Sequence, residues 1–283
     1  MSFINFLRRL LKKYFPYIYN NSSGLRNFIY KTFFTSKIKI NILNTFEEFS
    51  PNVSGEKSLK VENTIYNIKN FSKSILRVQP IKFPVKNIFE EFDNNKRTLG
   101  NLFDSYGSDK KTHGYDLIYN FIIEELEEID TLIEIGIGSN NEDVLSNMSR
   151  KGKPGSSLRS FRDFLPNSQI VGLEFDKNVL FEEERIKTFH FDQNHIDSLD
   201  TLPKNLLGNV DILIDDGLHS VVANINSLYF AEKLLKKGGF LIIEDISKLS
   251  EDLYQVILFI VNDKFSINIF TNNSCLVAVL KKN

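Results

Sequence analysis

The chain of 283 residues has one cysteine, Cys275, no tryptophan, and almost no net charge, at −1. A single cysteine excludes a disulfide framework and fits a reducing, cytoplasmic compartment. Near-neutrality removes the global basic field expected of a nucleic-acid-binding protein, so no nucleic-acid partner is expected. No apolar run exceeds six residues, as in Val256–Val261, far short of the ~20 needed to span a bilayer. What is present is 42% apolar and 25% charged residues, the balance of a globular protein of one large or two smaller domains.

The charge is unevenly placed. Residues 1–40 hold Arg8, Arg9, Lys12, Lys13, Arg26, Lys31, Lys37 and Lys39 and no acid, while the remainder carries an excess of acids. Phe3, Phe6, Leu7, Leu10 and Leu11 recur at helical spacing among those cations. Such a helix suits an anionic membrane surface, which would make the protein membrane-peripheral, or docks on its own protein or a second subunit. Lys37-Ile-Lys-Ile-Asn-Ile42 alternates like a strand, and 65–68 and 75–78 read as further short strands. Residues 1–95 are thus expected to form a small accessory domain.

From residue 96 strands alternate with helices. The strands are Thr131–Ile135, Gln169–Leu173, Ile186–Phe191, Val210–Ile214 and Gly239–Ile243; the helices are Ser157–Leu165, Ala223–Leu235 and Asp252–Val261. Near-continuous apolar strands joined by helices predict an α/β, Rossmann-like, mostly parallel sheet over 96–283. Lys236-Lys-Gly-Gly239 reads as a helix end. Ser266–Phe270 and Leu276–Leu280 read as a C-terminal antiparallel hairpin.

In such sheets ligands bind beyond the carboxyl ends of the strands. There the sequence places Glu134-Ile-Gly-Ile-Gly138, Glu174, Asp192, Asp215-Asp-Gly-Leu-His219 and Glu244-Asp245. Acids gathered at one rim repel one another, so a cation is expected among them. Gly136 and Gly138 admit a close-approaching ligand. Asn141 stands where a dinucleotide fingerprint wants glycine. A carboxylate before the glycines repels a pyrophosphate but attracts a sulfonium or an amino group, which favours S-adenosyl-L-methionine over NAD. Glu174 would take the ribose hydroxyls and Asp192 would stand at the adenine edge. Asp216, Glu244 and Asp245 offer hard oxygen ligands suited to Mg²⁺, Mn²⁺ or Ca²⁺. His219 has the chemistry of a general base beside them.

Leu132–Gly138, Gly155–Gly172, Glu184–Phe189, Asp192-Gln193, Ile214–His219 and Gly238–Asp245, in that order, resemble the class I S-adenosylmethionine-dependent methyltransferases. The branch is that of the metal-dependent sugar O-methyltransferases of the mycinamicin type, related to the cephalosporin hydroxylase group. Ser105-Tyr-Gly-Ser-Asp-Lys110, His113-Gly-Tyr-Asp116 and Tyr119 also match it. The resemblance spans roughly residues 100–250. It implies Asp216, Glu244 and Asp245 as metal ligands and His219 as the base. Glu134, Gly136, Gly138, Glu174 and Asp192 would form the cofactor pocket, with Tyr115 an aromatic residue near it. Glu174 departs from the family, where aspartate is commoner. The stretch Asn140–Pro154, with Arg150, Lys151 and Lys153, is longer than a minimal glycine loop and would cover the site, bind a phosphorylated substrate, or lie free as a solvated surface loop.

The implied activity is O-methylation of a sugar, nucleotide-linked or part of a surface or capsule polysaccharide precursor, by a homo-oligomer. Two other classes fit the same scaffold: a metal-assisted oxidoreductase or hydrolase, and a non-catalytic module that binds S-adenosylmethionine.

Overall fold

The computed structural model describes residues 83–95, 97–144, 146–148, 152–272 and 274–283. The expected basic helix and the strands at 37–42, 65–68 and 75–78 lie outside these residues. Two compact units divide the chain near Val78; the described residues, Ser220–Val222 apart, fall in the second, which begins at Gln79.

The elements follow one another as β1 (Val85–Asn87), α1 (Ile88–Glu91), α2 (Thr98–Tyr106), α3 (Tyr115–Leu126), β2 (Thr131–Ile135), α4 (Ser156–Phe164), β3 (Gln169–Glu174), β4 (Glu182–Glu183), β5 (Ile186–His190), β6 (Val210–Asp215), α5 (Val221–Leu234), β7 (Leu235–Ile246), α6 (Glu251–Val261), β8 (Phe265–Thr271) and β9 (Leu276–Lys282). The strands form one sheet in the order β1-β8-β9-β7-β6-β2-β3-β5-β4. From β7 to β5 neighbours are parallel, and β9 is antiparallel to both β7 and β8. This is the expected mixed sheet with its C-terminal hairpin. β6 is buried at every position and β2 at all but its first, which is why these strands read as unbroken apolar runs.

Two boundaries differ from the sequence reading. Val85–Asn87, grouped there with the accessory segment, enters the sheet, pairing parallel with Ile269–Thr271. The helix ends at Leu234, and Lys236–Gly239 runs in the following strand instead of forming its last turn. Leu235 already pairs with Val210, and a register shift follows before Ile212 meets Phe240. Gly238 takes φ 82 there, and Lys236 bonds Asp130 and Asp211 rather than helix carbonyls.

The sequence order reverses between β2 and β6, the position where open α/β sheets form a crevice. The rings of Phe103 (α2), Tyr119 (α3) and Phe161 (α4) meet edge to face, with centroids 5.1 to 6.2 Å apart, and all three are fully buried. They fix the start of α3, from which Tyr115 and Tyr119 reach the rim.

The turn between α2 and α3 is pinned from one side. Arg97 grips Asp116 through Nε (2.9 Å) and an η nitrogen (2.6 Å), and the same η nitrogen bonds the Lys111 carbonyl. Asp116 is fully buried. Asp116→Ala strands that guanidinium and loosens the turn; a loss of about 2–3 kcal/mol is expected, read as a lowered denaturation midpoint.

Candidate active site

The cleft lies where the loops after β2 and β6 diverge and has a volume of about 250 Å³. Gly136, Gly138, Glu174, Asp192, Gln193 and Asp216 are among its walls. Pairing runs past the strand ends: the Gly136 amide donates to Leu173 O and the Asp216 amide to Ile135 O. Gly136 has φ 86, and a Cβ there would lie 2.2 Å from the Asp216 carbonyl oxygen. Glycine is therefore required for both conformation and space. The longer acid Glu174 folds back, accepting from the amides of Ile137 (3.1 Å), Phe175 (2.8 Å) and Asp176 (3.0 Å). It thereby ties the glycine loop to the end of β3. Asp192, a quarter exposed, accepts from the Asn194 amide.

Beside the cleft, register explains which acids meet. Glu134 stands level with Ile214, and Ile214 with Ile242. Asp216 and Glu244, two residues further on, are on the same face of the pleat as Glu134. Their carboxylates converge on Lys110, which the α2–α3 turn delivers. Its Nζ lies 2.7 Å from Asp216 Oδ2, 2.5 Å from Glu244 Oε2 and 3.2 Å from Glu134 Oε1. Glu134 Oε1 is buried with no hydrogen-bond partner among the described residues, so that contact is one of charge rather than a directed bond. Its other oxygen accepts from Ser157. Tyr119 donates to Glu244.

On the outer side of Asp216, ligand atoms of Asp216, His219 and Asp245 lie within 4.8 Å of one another. Asp216 Oδ1 is 3.8 Å from His219 Nε2. His219 Nδ1 is buried and meets no hydrogen-bond partner among the described residues. His219 and Asp245 hold left-handed backbone, φ 49 and 51, a conformation that non-glycine residues rarely adopt and that concentrates at functional sites. Two carboxylates with an imidazole beside them suit a divalent cation. Tyr115 donates to Asp245 Oδ1, and the Cys275 thiol lies 3.2 Å from the same oxygen.

The loop carrying Asp216 and His219 rests on a buried polar network. Gln193 donates to Asp215 (2.6 Å) and Ser227 (2.9 Å) and accepts from the Leu218 amide. Asn224 donates to Asp215 (2.7 Å) and accepts from Tyr254. Each buried polar group has a partner, so the network holds one geometry.

Charge is unbalanced here. Burial would lower the Lys110 pKa, but Asp216, Glu244 and Glu134 hold it well above the ordinary lysine value. Burial raises Glu134 and Asp216, and pushes Glu244 up to about 7. Burial acts against Asp245 too, but His219 and the bonds from Tyr115 and Cys275 keep it below the usual carboxylate value. Burial pushes the Cys275 thiol up to about 11, which leaves it protonated and a poor nucleophile.

Of the residues singled out in the sequence, Gly136, Gly138, Glu174 and Asp192 line the cleft, while Glu134 and Tyr115 do not. Glu134 faces Lys110 and Ser157, and Tyr115 faces Asp245. Asp216 and Asp245 gather with His219, whereas Glu244 is turned to Lys110 and Tyr119. Arg150 and Lys151 lie outside the described residues, and Lys153 lies beside Gly107. Lys110, Tyr119 and Cys275 were not singled out for roles in the site. The signal for Lys110 was the acid cluster itself, which called for a cation.

No family model matches the chain. The mycinamicin VI 2''-O-methyltransferase of Micromonospora griseorubida is 37% identical over 93 residues, 32% of this chain and 23% of that protein. The 8-demethyl-8-(2-methoxy-α-L-rhamnosyl)-tetracenomycin-C 3'-O-methyltransferase of Streptomyces olivaceus is 28% identical over 151 residues, 52% of this chain and 36% of that protein. The chain thus spans about a quarter to a third of the length of these curated relatives. Among solved structures, the methyltransferase MycE of the mycinamycin biosynthetic pathway, in complex with Mg, SAH and mycinamycin VI, superposes with a TM-score of 0.52 at 20% identity. The match covers 82% of this chain and 62% of that one. The chain is thus similar in sequence, over part of its length, to sugar O-methyltransferases, and shares the fold of a solved methyltransferase.

Proposed function

We propose that the chain transfers the methyl group of S-adenosyl-L-methionine to a sugar hydroxyl with the help of a divalent cation, Mg²⁺ or Mn²⁺. The observation that carries this reading is the double position of Asp216, a wall of the cleft and a member of the Asp216–His219–Asp245 cluster. Cofactor and ion would then be neighbours. The likeness to a rhamnosyl O-methyltransferase supports a sugar as acceptor.

When bound, S-adenosylmethionine supplies an electrophilic methyl, and the cation lowers the pKa of a coordinated hydroxyl. Gly136 and Gly138 open the backbone to the cofactor. Glu174 and Asp192 offer acceptors to its ribose and adenine. Asp216 and Asp245 would hold the cation, with Glu244 as a further carboxylate at the same rim. His219 takes the hydroxyl proton, and the carboxylates of Asp216 and Asp245 stabilise the imidazolium that results. Held in register, the two reactants need little further ordering.

On this reading the acceptor is a nucleotide-linked sugar or a surface-polysaccharide precursor, and the enzyme works in the cytoplasm as a homo-oligomer. The basic aromatic N-terminal segment would hold it to a membrane surface or a second subunit. Among the described residues, no helix is long and apolar enough to cross a membrane.

Purified protein with S-adenosylmethionine, Mg²⁺ or Mn²⁺ and a panel of nucleotide-linked sugars and glycosides should release S-adenosylhomocysteine. No release with any acceptor, together with no cofactor binding by calorimetry, overturns the proposal. His219→Ala should lower kcat by about 10²-fold or more while the calorimetric affinity for S-adenosylmethionine stays unchanged.

A further inference from the structure

We propose that Lys110 is the resident cation of this site and competes with the divalent ion for Asp216 and Glu244, so that its ammonium sets how tightly the ion is held. The inference rests on reading the Asp216 cluster as a metal site, and adds to it a residue that opposes the metal.

Three observations support it. First, Lys110 is nearly fully buried, and its Nζ lies within 3.2 Å of three carboxylates. A buried ammonium needs such partners, and buried acids need such a cation. Second, one of those carboxylates, Asp216, offers its other oxygen to the His219–Asp245 side. One side chain is thus shared between the fixed cation and the candidate ion. Glu244, the neighbour of Asp245 in the chain, has its oxygens on Lys110 and Tyr119, so an ion that engages Glu244 must draw it from that ammonium. Third, Glu134, Asp216, Glu244 and Asp245 are four acids against a single lysine. Asp216 and Asp245 attract a divalent ion there, and Lys110 opposes it with a like charge a few ångströms away. Coupling of this kind is reciprocal: the ion weakens the hold on Lys110 as much as Lys110 weakens the hold on the ion. With no ion present, Lys110 keeps the acids from repelling one another and holds the rim together.

The test uses the full-length protein and Mn²⁺ alone, without cofactor or sugar. Mn²⁺ affinity is measured by calorimetry and by the loss of the free-ion paramagnetic resonance signal. Lys110→Gln keeps hydrogen-bond donors for Asp216 and Glu244 but removes the charge, and should bind Mn²⁺ more tightly by roughly tenfold or more. Lys110→Arg keeps the charge and should stay close to wild type. Equal affinity in wild type and Lys110→Gln overturns the proposal while leaving the metal site standing. An equal gain in Lys110→Arg also overturns it, since the effect would then be one of shape. Absence of Mn²⁺ binding in both wild type and Lys110→Gln removes the metal reading and the proposal together. A second measurement needs no variant. Amine-directed labelling of wild-type Lys110, read by mass spectrometry, should rise when Mn²⁺ saturates the site. Unchanged labelling with Mn²⁺ bound contradicts the competition.

Discussion

Asp216→Asn is expected to lower turnover by about 10³-fold or more and to abolish its dependence on a divalent ion, because the ion's contribution to such a reaction is several kcal/mol. The substitution changes charge and little else. In the native site one oxygen accepts from Lys110 at 2.7 Å, and the other faces His219 at 3.8 Å. An asparagine amide has one acceptor and one donor for these two positions, so it must present its NH₂ group either to an ammonium or to the imidazole. Lys110 retains Glu244 and Glu134, so the fold should persist, with circular dichroism close to wild type. S-adenosylhomocysteine release at saturating cofactor is the measurement. Activity in the variant equal to that of the wild type, or unchanged activity of chelator-treated wild type, contradicts the assignment.

The second large effect is expected at Gly136. A methyl group there would sit 2.2 Å from the carbonyl oxygen and 2.7 Å from the carbonyl carbon of Asp216, and 2.8 Å from Gly217 Cα. All three are backbone atoms held by the β2–β6 pairing, so no flexible side chain can give way. The residue also has φ 86, a region that disfavours alanine by about 1–2 kcal/mol. Overpacking adds about 1–3 kcal/mol. Gly136→Ala should therefore lose about 2–5 kcal/mol of stability. Whatever folds should bind S-adenosylmethionine poorly, because the clash moves Asp216 and the floor of the cleft. A melting temperature within a degree or two of wild type, with intact cofactor affinity, would show that the two loops are not in contact.

The sheet was legible because its central strands are buried on both faces and therefore read as apolar runs bounded by loops. Gly136, Gly138, Glu174 and Asp192 were legible because a parallel sheet presents its strand ends at one rim, whatever the intervening helices do. Which way each acid turns was not legible. The adjacent residues Glu244 and Asp245 read as one pair; the first packs on Lys110 and Tyr119, and the second, with φ 51, turns to Tyr115, Cys275 and the His219 side. Glu134 read as a cofactor ligand, but the pleat sends it to the face covered by α4, where Ser157 and Lys110 receive it. Lys110 itself lies in a turn without periodicity, 106 and 134 residues from its partners Asp216 and Glu244. Such a separation carries no local signal. Lys236–Gly239 misled for a related reason: cations before glycines suit a helix end, yet Val210 and Asp211 recruit this stretch to the sheet.

The central claim is that a sulfonium cofactor and a divalent ion lie side by side, with Asp216 between them. The most direct measurement is the NMR signal of S-adenosylmethionine labelled with ¹³C in its methyl group, bound to the protein and titrated with Mg²⁺ and, separately, with Mn²⁺. Paramagnetic broadening falls off steeply with distance. The account predicts that the bound methyl signal persists with Mg²⁺ and broadens beyond detection with stoichiometric Mn²⁺. A methyl signal that stays sharp while Mn²⁺ is bound would place the ion away from the cofactor and contradict the account.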